Sequence, residues 1–183
     1  RGYRVRTSAR PSSDLRWLRG KPIEVLTVAL DDDAGVDALL SGCQGLVHCA
    51  AAINAPDEAA FQRVNVGLTR ALLAGCARGS EVRTFLLVSS LAAAGPAGPE
   101  APATEDAPPA PITAYGRSKR DAEAAVHGRA WTFRCATLRP PSLYGPRDRE
   151  FLPLFKAARL GWTGRLGRTL RGISLVEARD CAA

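Results

Sequence analysis

The chain of 183 residues is long enough for one domain with a substantial core, and its formal net charge is +7. Its basic residues are mostly arginines scattered along the chain and cluster only over residues 147–179, so we expect no nucleic-acid partner. No apolar run approaches the length of a membrane span and no signal-peptide pattern opens the chain, so we expect no membrane partner either.

Cysteine and histidine usage argues against metal or thiol chemistry. The five cysteines are odd in number and form no C-x-x-C pair, and only His48 and His127 accompany them. Such cysteines usually serve as small buried side chains, so we expect neither a metal site nor a Cys–His nucleophile. We interpret the protein as cytoplasmic on the same ground. The chain contains no methionine and opens directly on a strand-like run, so we interpret it as a piece of a longer protein.

The first part of the chain alternates short strands and helices. Strands are predicted at residues 3–8, 23–30 and 46–49, where β-branched and apolar residues dominate. The Asp31-Asp32-Asp33 run is predicted to cap a short helix that ends at Gly42. Apolar side chains then recur at helical spacing, which predicts a longer amphipathic helix over residues 57–78.

The second part contains one strand followed by two serines and then a long loop. Residues 85–88 are predicted to form a buried strand that leads into Ser89 and Ser90. Residues 92–111 are rich in proline, alanine and glycine, which indicates a loop over the mouth of a site or a linker. The remaining predictions are a helix at 112–126, a strand at 131–138, a helix at 151–160, a strand at 173–176 and a helix start at 180–183.

Ser90, Tyr115 and Lys119 form the candidate catalytic group. Tyr115 and Lys119 are four residues apart, so they share one face of the predicted helix. A nearby ammonium group favours the phenolate, so we expect Lys119 to lower the pKa of Tyr115. Ser90 follows a strand, at the sheet edge where open α/β folds bind ligands. The alternatives are a solvated helix face for the Tyr–Lys pair and, for the serines, a polar pair that satisfies local backbone groups.

Strands that alternate with helices predict an α/β fold with a doubly wound parallel sheet. Five segments carry a family resemblance: Leu46-Val47-His48-Cys49-Ala50-Ala51, Asn65-Val66-Gly67-Leu68-Thr69, Ser89-Ser90, Tyr115-x-x-x-Lys119, and the run from Arg139 to Pro146. Together they resemble the extended short-chain dehydrogenase/reductase superfamily, also called the NAD-dependent epimerase/dehydratase family. The run after Ser89 is more similar to the hydroxysteroid-dehydrogenase-like and dihydroflavonol-reductase-like branches than to the sugar epimerases.

The resemblance implies a role for each residue of the candidate catalytic group. Tyr115 would be the general acid or base, and Lys119 would bind the nicotinamide ribose and tune Tyr115. Ser90 would bind the substrate oxygen and orient it toward the hydride. The parent protein would then be an NAD(P)-dependent oxidoreductase or epimerase/dehydratase that acts on a secondary alcohol or ketone. The alternative is a truncated, non-catalytic remnant or a nucleotide-sensing module of the same fold.

The resemblance also implies cofactor contacts, for NADP or NAD. They would involve Arg10, Ala50, Ala51, Asn65, Tyr115, Lys119, Pro140 and Pro141, of which Asn65 would hold backbone geometry. Arg10 favours NADP over NAD, because an arginine accommodates the 2′-phosphate, although it could equally be an ordinary surface arginine. Ala29 departs from the family, which usually has an aspartate there for the adenine amino group. Asp31 or Asp32 could substitute for it.

The family's sheet begins with a strand and a glycine-rich pyrophosphate turn, and neither precedes the first predicted strand of this chain. The fold would therefore be a Rossmann-like sheet that lacks its first strand. We expect a gap at that position, re-pairing of the flanking strands, or a borrowed strand. Residues 1–146 would form the truncated NAD(P)-binding domain and residues 147–183 the start of the substrate-binding region. We also expect the protein to act on a small-molecule substrate and to form a homodimer through its long helices.

Overall fold

The computed structural model describes residues 2–98, 101–162 and 173–183. The strands in these ranges are β1 (Val5–Ala9), β2 (Ile23–Thr27), β3 (Gly45–His48), β4 (Thr84–Val88), β5 (Arg134–Leu138), β6 (Ser142–Tyr144) and β7 (Leu175–Glu177). The α-helices are α1 (Asp33–Leu40), α2 (Glu58–Phe61), α3 (Leu68–Ala77), α4 (Ala114–His127), α5 (Leu152–Arg159) and α6 (Ala178–Cys181). Among these residues, no helix combines the length and apolar character needed to cross a bilayer.

Every strand pair is parallel, as the alternation of strands and helices predicts. β1 pairs with β2, the strands β3, β4 and β5 pair in that order, and β6 pairs with β7. No ladder joins β1 to β3 within the described residues. Of the three expected outcomes at the position of the family's first strand, the structure therefore shows the gap. The flanking strands have not re-paired, and the described part of the chain lends no strand.

The hydrophobic core lies between the β3–β5 sheet and three helices. Its buried members include Val36, Leu40, Leu72, Leu73, Phe85, Leu87, Ala122 and Val126. Helix α3 packs against α1 on one side and against α4 on the other. The strands expose alternate side chains on the opposite face, where Val47 is 60% and Leu138 is 40% exposed. The core therefore fixes α4, the predicted Tyr–Lys helix, against the central strand of the sheet.

The long helix predicted over residues 57–78 is continuous but changes its hydrogen bonding midway. Asp57 caps its start, with the carboxylate accepting from the Ala60 amide at 2.7 Å. Between α2 and α3, residues Gln62–Gly67 form a π-helical turn. Such turns insert an extra residue per turn and often occur at functional sites. Here the turn contains Asn65, one of the predicted cofactor-binding residues.

Arg6 links the β1–β2 pair to the remainder of the fold. Its guanidinium bonds Glu24 on β2 at 2.8 Å and the Ser41 carbonyl, just beyond α1, at 2.6 Å. A weaker bond of 3.3 Å reaches the Leu39 carbonyl. A cation at a helix C-terminus satisfies carbonyls that lack helical partners and interacts favourably with the helix dipole. Arg6 therefore connects the β1–β2 pair to helix α1, whose buried residues belong to the hydrophobic core.

The predicted elements occur, with shifted ends. The strand predicted at residues 23–30 ends at Thr27, and the one predicted at residues 131–138 begins at Arg134. Strand β6 was not predicted, because only three residues form it and β7 is its sole described partner. The loop predicted at 92–111 contains a short 3₁₀ turn, Leu91–Ala93, at its start. Residues 99 and 100 of that loop lie outside the described ranges.

Candidate functional site

Ser89 and Ser90 follow β4 at its carboxyl end, as predicted. The Ser89 amide donates to the Leu138 carbonyl at 2.7 Å, which extends the pairing of β4 with β5. The Ser89 hydroxyl is buried and finds no hydrogen-bond partner in the described part of the chain. The Ser90 hydroxyl caps the following turn by accepting from the Ala92 amide at 3.2 Å. That bond uses an oxygen lone pair, so Ser90 can donate its proton to the Tyr115 phenol oxygen or to a ligand oxygen.

Helix α4 brings Tyr115 beside Ser90. Thr113 caps the helix, with its hydroxyl accepting from the Gly116 amide at 2.9 Å. A Cβ built on Gly116 would lie 2.4 Å from the Ala92 carbonyl oxygen, so only glycine allows this approach of the helix to the turn after β4. The Tyr115 ring is half-buried and meets the edge of Phe61, with ring centroids 6.0 Å apart. The spacing-based prediction that Tyr115, Lys119 and the strand end lie together agrees with this placement.

Lys119 is buried and points along α4 toward the strand end. Its Nζ donates to the Val88 carbonyl, the last of β4, at 2.8 Å. Burial lowers the pKa of Lys119, and the charge of Glu123 opposes that shift. Burial raises the pKa of Tyr115, which hydrogen bonding with the Ser90 side chain partly offsets. The expected lowering of the Tyr115 pKa by Lys119 is therefore wrong here, because the ammonium group is engaged by Val88 and desolvation dominates at the phenol.

Asn65, in the π-helical turn, is the centre of a buried hydrogen-bond network. Its side-chain oxygen accepts from the Ala52 amide at 2.7 Å, and its amide group donates to the Ala52 carbonyl at 3.1 Å. The same amide group donates to the Ser118 hydroxyl at 2.9 Å, which in turn donates to the Tyr115 carbonyl at 2.7 Å. Asn65 therefore fixes both the segment after β3 and the first turns of α4, which extends its expected structural role.

Ser118, Thr69 and His48 support this network, and the sequence motifs indicated a site role for none of them. The Thr69 hydroxyl donates to the Asn65 carbonyl at 2.6 Å and lies 3.0 Å from His48 Nε2. Because the Thr69 proton is already used, the His48 ring donates through Nε2. Burial, reinforced by the charge of Lys119, lowers the pKa of His48 to about 4. His48 is a neutral packed side chain, as its position in a buried strand predicts.

Of the remaining predicted cofactor residues, four lie near the candidate catalytic group or the segment that Asn65 holds, and one lies away from both. Ala50 and Ala51 follow β3 and precede the Ala52 segment that Asn65 holds. Pro140 is buried, and its carbonyl accepts from the Leu91 amide at 2.9 Å, so Pro140 and Pro141 adjoin the Ser90 turn. Arg10 lies elsewhere, exposed at the end of β1, and its amide donates to the Ser13 hydroxyl at 3.0 Å.

Arg139, the first residue of the predicted proline-rich segment, ties β5 to α4. Its guanidinium holds the buried Glu123 carboxylate in a two-pronged contact with distances of 2.6–3.1 Å. Glu123 lies on the same helix face as Tyr115 and Lys119, at successive four-residue intervals. Hydrogen bonding with Glu123 raises the pKa of Arg139. A charged pair therefore adjoins the candidate catalytic group without being part of it.

The described residues fit one half of a nicotinamide dinucleotide better than the other. A buried ammonium group and two hydroxyls at a sheet edge are donors that suit a ribose and a carbonyl oxygen, so Lys119, Tyr115 and Ser90 fit the nicotinamide half. No glycine-rich turn joins a described strand to a described helix, so the described residues provide no pyrophosphate cradle.

The glycine spacing typical of that cradle occurs elsewhere in the chain. Gly161, Gly164 and Gly167 have it, but they follow α5 rather than a strand, and the last two lie outside the described ranges. At the adenine end, Asp32 caps α1 by accepting from the Gly35 amide at 2.6 Å. Asp31 is thereby left as the candidate to replace the missing aspartate at Ala29.

The fold matches the solved structures of two enzymes. The UDP-N-acetylglucosamine 4-epimerase of Methanobrevibacter ruminantium M1 superposes with a TM-score of 0.82 at 19% identity, over 98% of this chain and 63% of that one. The Bordetella bronchiseptica enzyme WbmG, solved in complex with NAD, gives a TM-score of 0.78 at 21% identity, over 98% of this chain and 58% of that one. These similarities confirm the predicted Rossmann-like α/β fold.

Sequence comparison gives the family. A curated relative from Caulobacter vibrioides, named ceramide reductase, is 35% identical over the whole of this chain and 52% of its own length. The chain thus spans about half the length of that relative. The sequence model of the NAD dependent epimerase/dehydratase family matches residues 1–163. The chain therefore belongs to the NAD dependent epimerase/dehydratase family.

Proposed function

We propose that this chain carries the catalytic part of an NAD(P)-dependent oxidoreductase that interconverts a secondary alcohol and a ketone. The observation that carries the proposal is the convergence of Ser90, Tyr115 and Lys119 at the carboxyl end of β4. In an open parallel sheet this edge is where ligands bind. Two hydroxyls and an ammonium group there suit proton transfer to a reacting oxygen.

The state of Tyr115 favours the reductive direction. Because its pKa is raised, the phenol is protonated at neutral pH and can donate to a carbonyl oxygen. Ser90 donates toward the Tyr115 phenol oxygen in this structure, and on substrate binding it would donate to the same oxygen as Tyr115. Lys119 donates one of its protons to Val88 and has two left for ribose hydroxyls. The bound cofactor would supply the hydride.

The comparisons support a reductase of this kind, and Arg10 bears on the choice of cofactor. The relative that is 35% identical over the whole chain is named a reductase. Arg10 is exposed at the carboxyl end of β1 and forms no ion pair among the described residues, so it is available to a 2′-phosphate. We therefore favour NADP over NAD.

Replacement of Tyr115 by phenylalanine tests the proposal. The ring contact with Phe61 is retained and the proton donor is lost, so NADPH oxidation coupled to ketone reduction should fall at least about hundredfold. Tyr3→Phe, at a side chain that is 86% exposed, is the matched control and should retain the rate. Ketone reduction that persists in Tyr115→Phe would contradict the proposed role of Tyr115.

A nucleotide-sensing module without catalysis is the second candidate. It is favoured by the contact of the Lys119 ammonium group with the Val88 carbonyl at 2.8 Å, because an ammonium group held there is not among the groups that shift the pKa of Tyr115. Such a module would bind NADPH or NADH, measured by the change in nicotinamide fluorescence, without oxidising either in the presence of any ketone. Tyr115→Phe would then leave dinucleotide affinity unchanged, whereas a catalytic Tyr115 requires turnover by the unaltered chain.

A further inference from the structure

A cavity of about 360 Å³ opens beside Ser90. It lies between the turn after β4, the residues before α4 and the segments that carry β6 and β7. Its described lining includes four hydroxyl residues, Ser90, Thr113, Ser142 and Ser174, and two isoleucines, Ile112 and Ile173. This volume is within the usual range for small-molecule sites. Ser90 lies at its wall, so a molecule in the cavity can present an oxygen to the candidate catalytic group.

The wall is apolar except for four hydroxyls. None of the described lining residues carries a charged side chain. Two backbone amides of the wall are already bonded, that of Leu91 to the Pro140 carbonyl and that of Ala92 to the Ser90 hydroxyl. A diphosphate needs arginine, lysine or free backbone amides, and the described wall offers no such side chain. An uncharged carbon chain would instead bind favourably, because its apolar surface leaves water and packs against an apolar wall.

Apolar side chains also surround the mouth of the cavity. Ile112 is 72% exposed and Ile173 is 47% exposed, and both belong to the lining. Single exposed apolar side chains are common on protein surfaces, whereas exposed apolar side chains that adjoin a cavity indicate a ligand-binding surface. A carbon chain that extends past the mouth would bury both isoleucines.

We propose that this cavity binds the alkyl part of an apolar ketone or secondary alcohol, and that it excludes nucleoside diphosphate sugars. The proposal deepens the proposed function, since it assumes that Ser90 receives the substrate oxygen. The bound molecule is uncharged at the reacting end and carries a hydrocarbon chain that lies against Ile112 and Ile173.

Two fluorescent ketones test the chain-length preference. Prodan and laurdan share one naphthyl ketone and differ in acyl length, and their emission shifts to shorter wavelength in an apolar site. Each added methylene increases burial, so laurdan should bind this chain at least about tenfold more tightly than prodan. Methyl nonyl ketone should displace laurdan, and UDP-glucose should not.

Charged substitutions at the mouth localise the binding. Ile112→Asp, and independently Ile173→Asp, should weaken laurdan binding at least about tenfold, because each places a carboxylate against the carbon chain. Leu160→Asp, at a residue that is 79% exposed and outside the lining, should leave the affinity unchanged. Circular dichroism confirms that the compared variants are folded.

The outcomes separate this inference from the proposed function. Displacement of laurdan by UDP-glucose, equal affinity for the two probes, or equal loss in Leu160→Asp would overturn the apolar substrate class. Turnover of UDP-sugars would also overturn the proposed apolar substrate class, but it would leave the oxidoreductase proposal intact. Localised laurdan binding without NADPH oxidation would support the cavity assignment and contradict the catalytic proposal.

Discussion

Glu123 lies one helical turn beyond Lys119 on α4, and its charge raises the pKa of that buried lysine against the effect of burial. Arg139, at the end of β5, holds the carboxylate in place. From β4 the other neighbour of Lys119 is the Val88 carbonyl, and from β3 the neighbouring titratable groups are His48 and Cys49. Glu123 is thus the group that most strongly opposes the lowering of the Lys119 pKa by burial.

Replacement of Glu123 by glutamine should lower the pKa of Lys119 further, because the opposing charge is lost while the desolvation remains. The chain has three lysines, so NMR titration of ¹³C-labelled lysine can follow Lys119 directly. The alkaline limb of the activity profile should move to lower pH by the same amount. Asp121→Asn, which removes a carboxylate two residues away on a different helix face, is the matched control. An unchanged Lys119 titration in Glu123→Gln would exclude this tuning role.

Gly116→Ala should separate Tyr115 from Ser90. The added Cβ would lie 2.4 Å from the Ala92 carbonyl oxygen, so α4 must move away from the turn that carries Ser90. We expect kcat to fall more than tenfold and the free energy of unfolding to fall by about 1–3 kcal/mol. The control is Gly67→Ala, where the added Cβ would have no atom within 4 Å beyond its chain neighbours and the backbone of its own helix, and where helix propensity improves. Retained kcat in Gly116→Ala would show that the close approach does not matter for chemistry.

His48 should make the fold sensitive to acid. Its pKa is about 4 in the folded chain, against 6.5 for a histidine that is not buried, so the unfolded chain binds the proton first as the pH falls. The stabilisation is fully present above pH 6.5 and is lost progressively down to about pH 4, amounting to about 3 kcal/mol.

Urea unfolding at several pH values measures this effect. His48→Gln keeps a donor for Thr69 but does not titrate, so it should flatten the slope in that window. His127→Gln, which removes the other histidine of the chain, should retain the slope. Equal slopes in the unaltered chain and in His48→Gln would assign the acid sensitivity to other groups.

Arg10→Ala should reduce the preference for NADPH. A guanidinium–phosphate contact accounts for about tenfold in affinity, so NADPH binding should weaken by that factor while NADH binding stays within about twofold. Arg4→Ala removes an exposed arginine ahead of the start of β1 and serves as the control. Equal loss of both dinucleotides, or of neither, would mean that Arg10 does not read the 2′-phosphate.

Hydrophobic patterning was sufficient to predict most of the fold. The strand before Ser89 and the helix through Tyr115 were predicted because their apolar residues recur at the right period. The π-helical turn at Asn65 could not be predicted in the same way, since it changes which backbone groups pair without changing which side chains are apolar. Strand β6 is too short to show any period.

The four-residue spacing of Tyr115 and Lys119 predicted that they share a helix face, but it could not predict their pKa values. The pKa of Tyr115 depends on how deeply the ring is buried, and burial is set by distant residues such as Phe61. Likewise, Ser118 is adjacent to Lys119 in sequence, yet its link to Asn65 spans 53 positions and arises only in the folded chain. The candidate residues could be predicted from the sequence, whereas the hydrogen-bond network that orients them could not.

Arg6 provides the described hydrogen bonds between the β1–β2 pair and α1, and within the described residues no ladder joins that pair to β3. We therefore expect the β1–β2 pair to unfold less cooperatively with the rest of the chain. The β1–β2 pair can open while the Phe85 core stays folded, at a free-energy cost well below that of global unfolding. Amide hydrogens on β1 and β2 will therefore exchange through a local foldon. Any dinucleotide contact made by Arg10 should therefore slow amide exchange on β1 and β2, because it would stabilise the pair of strands that opens first.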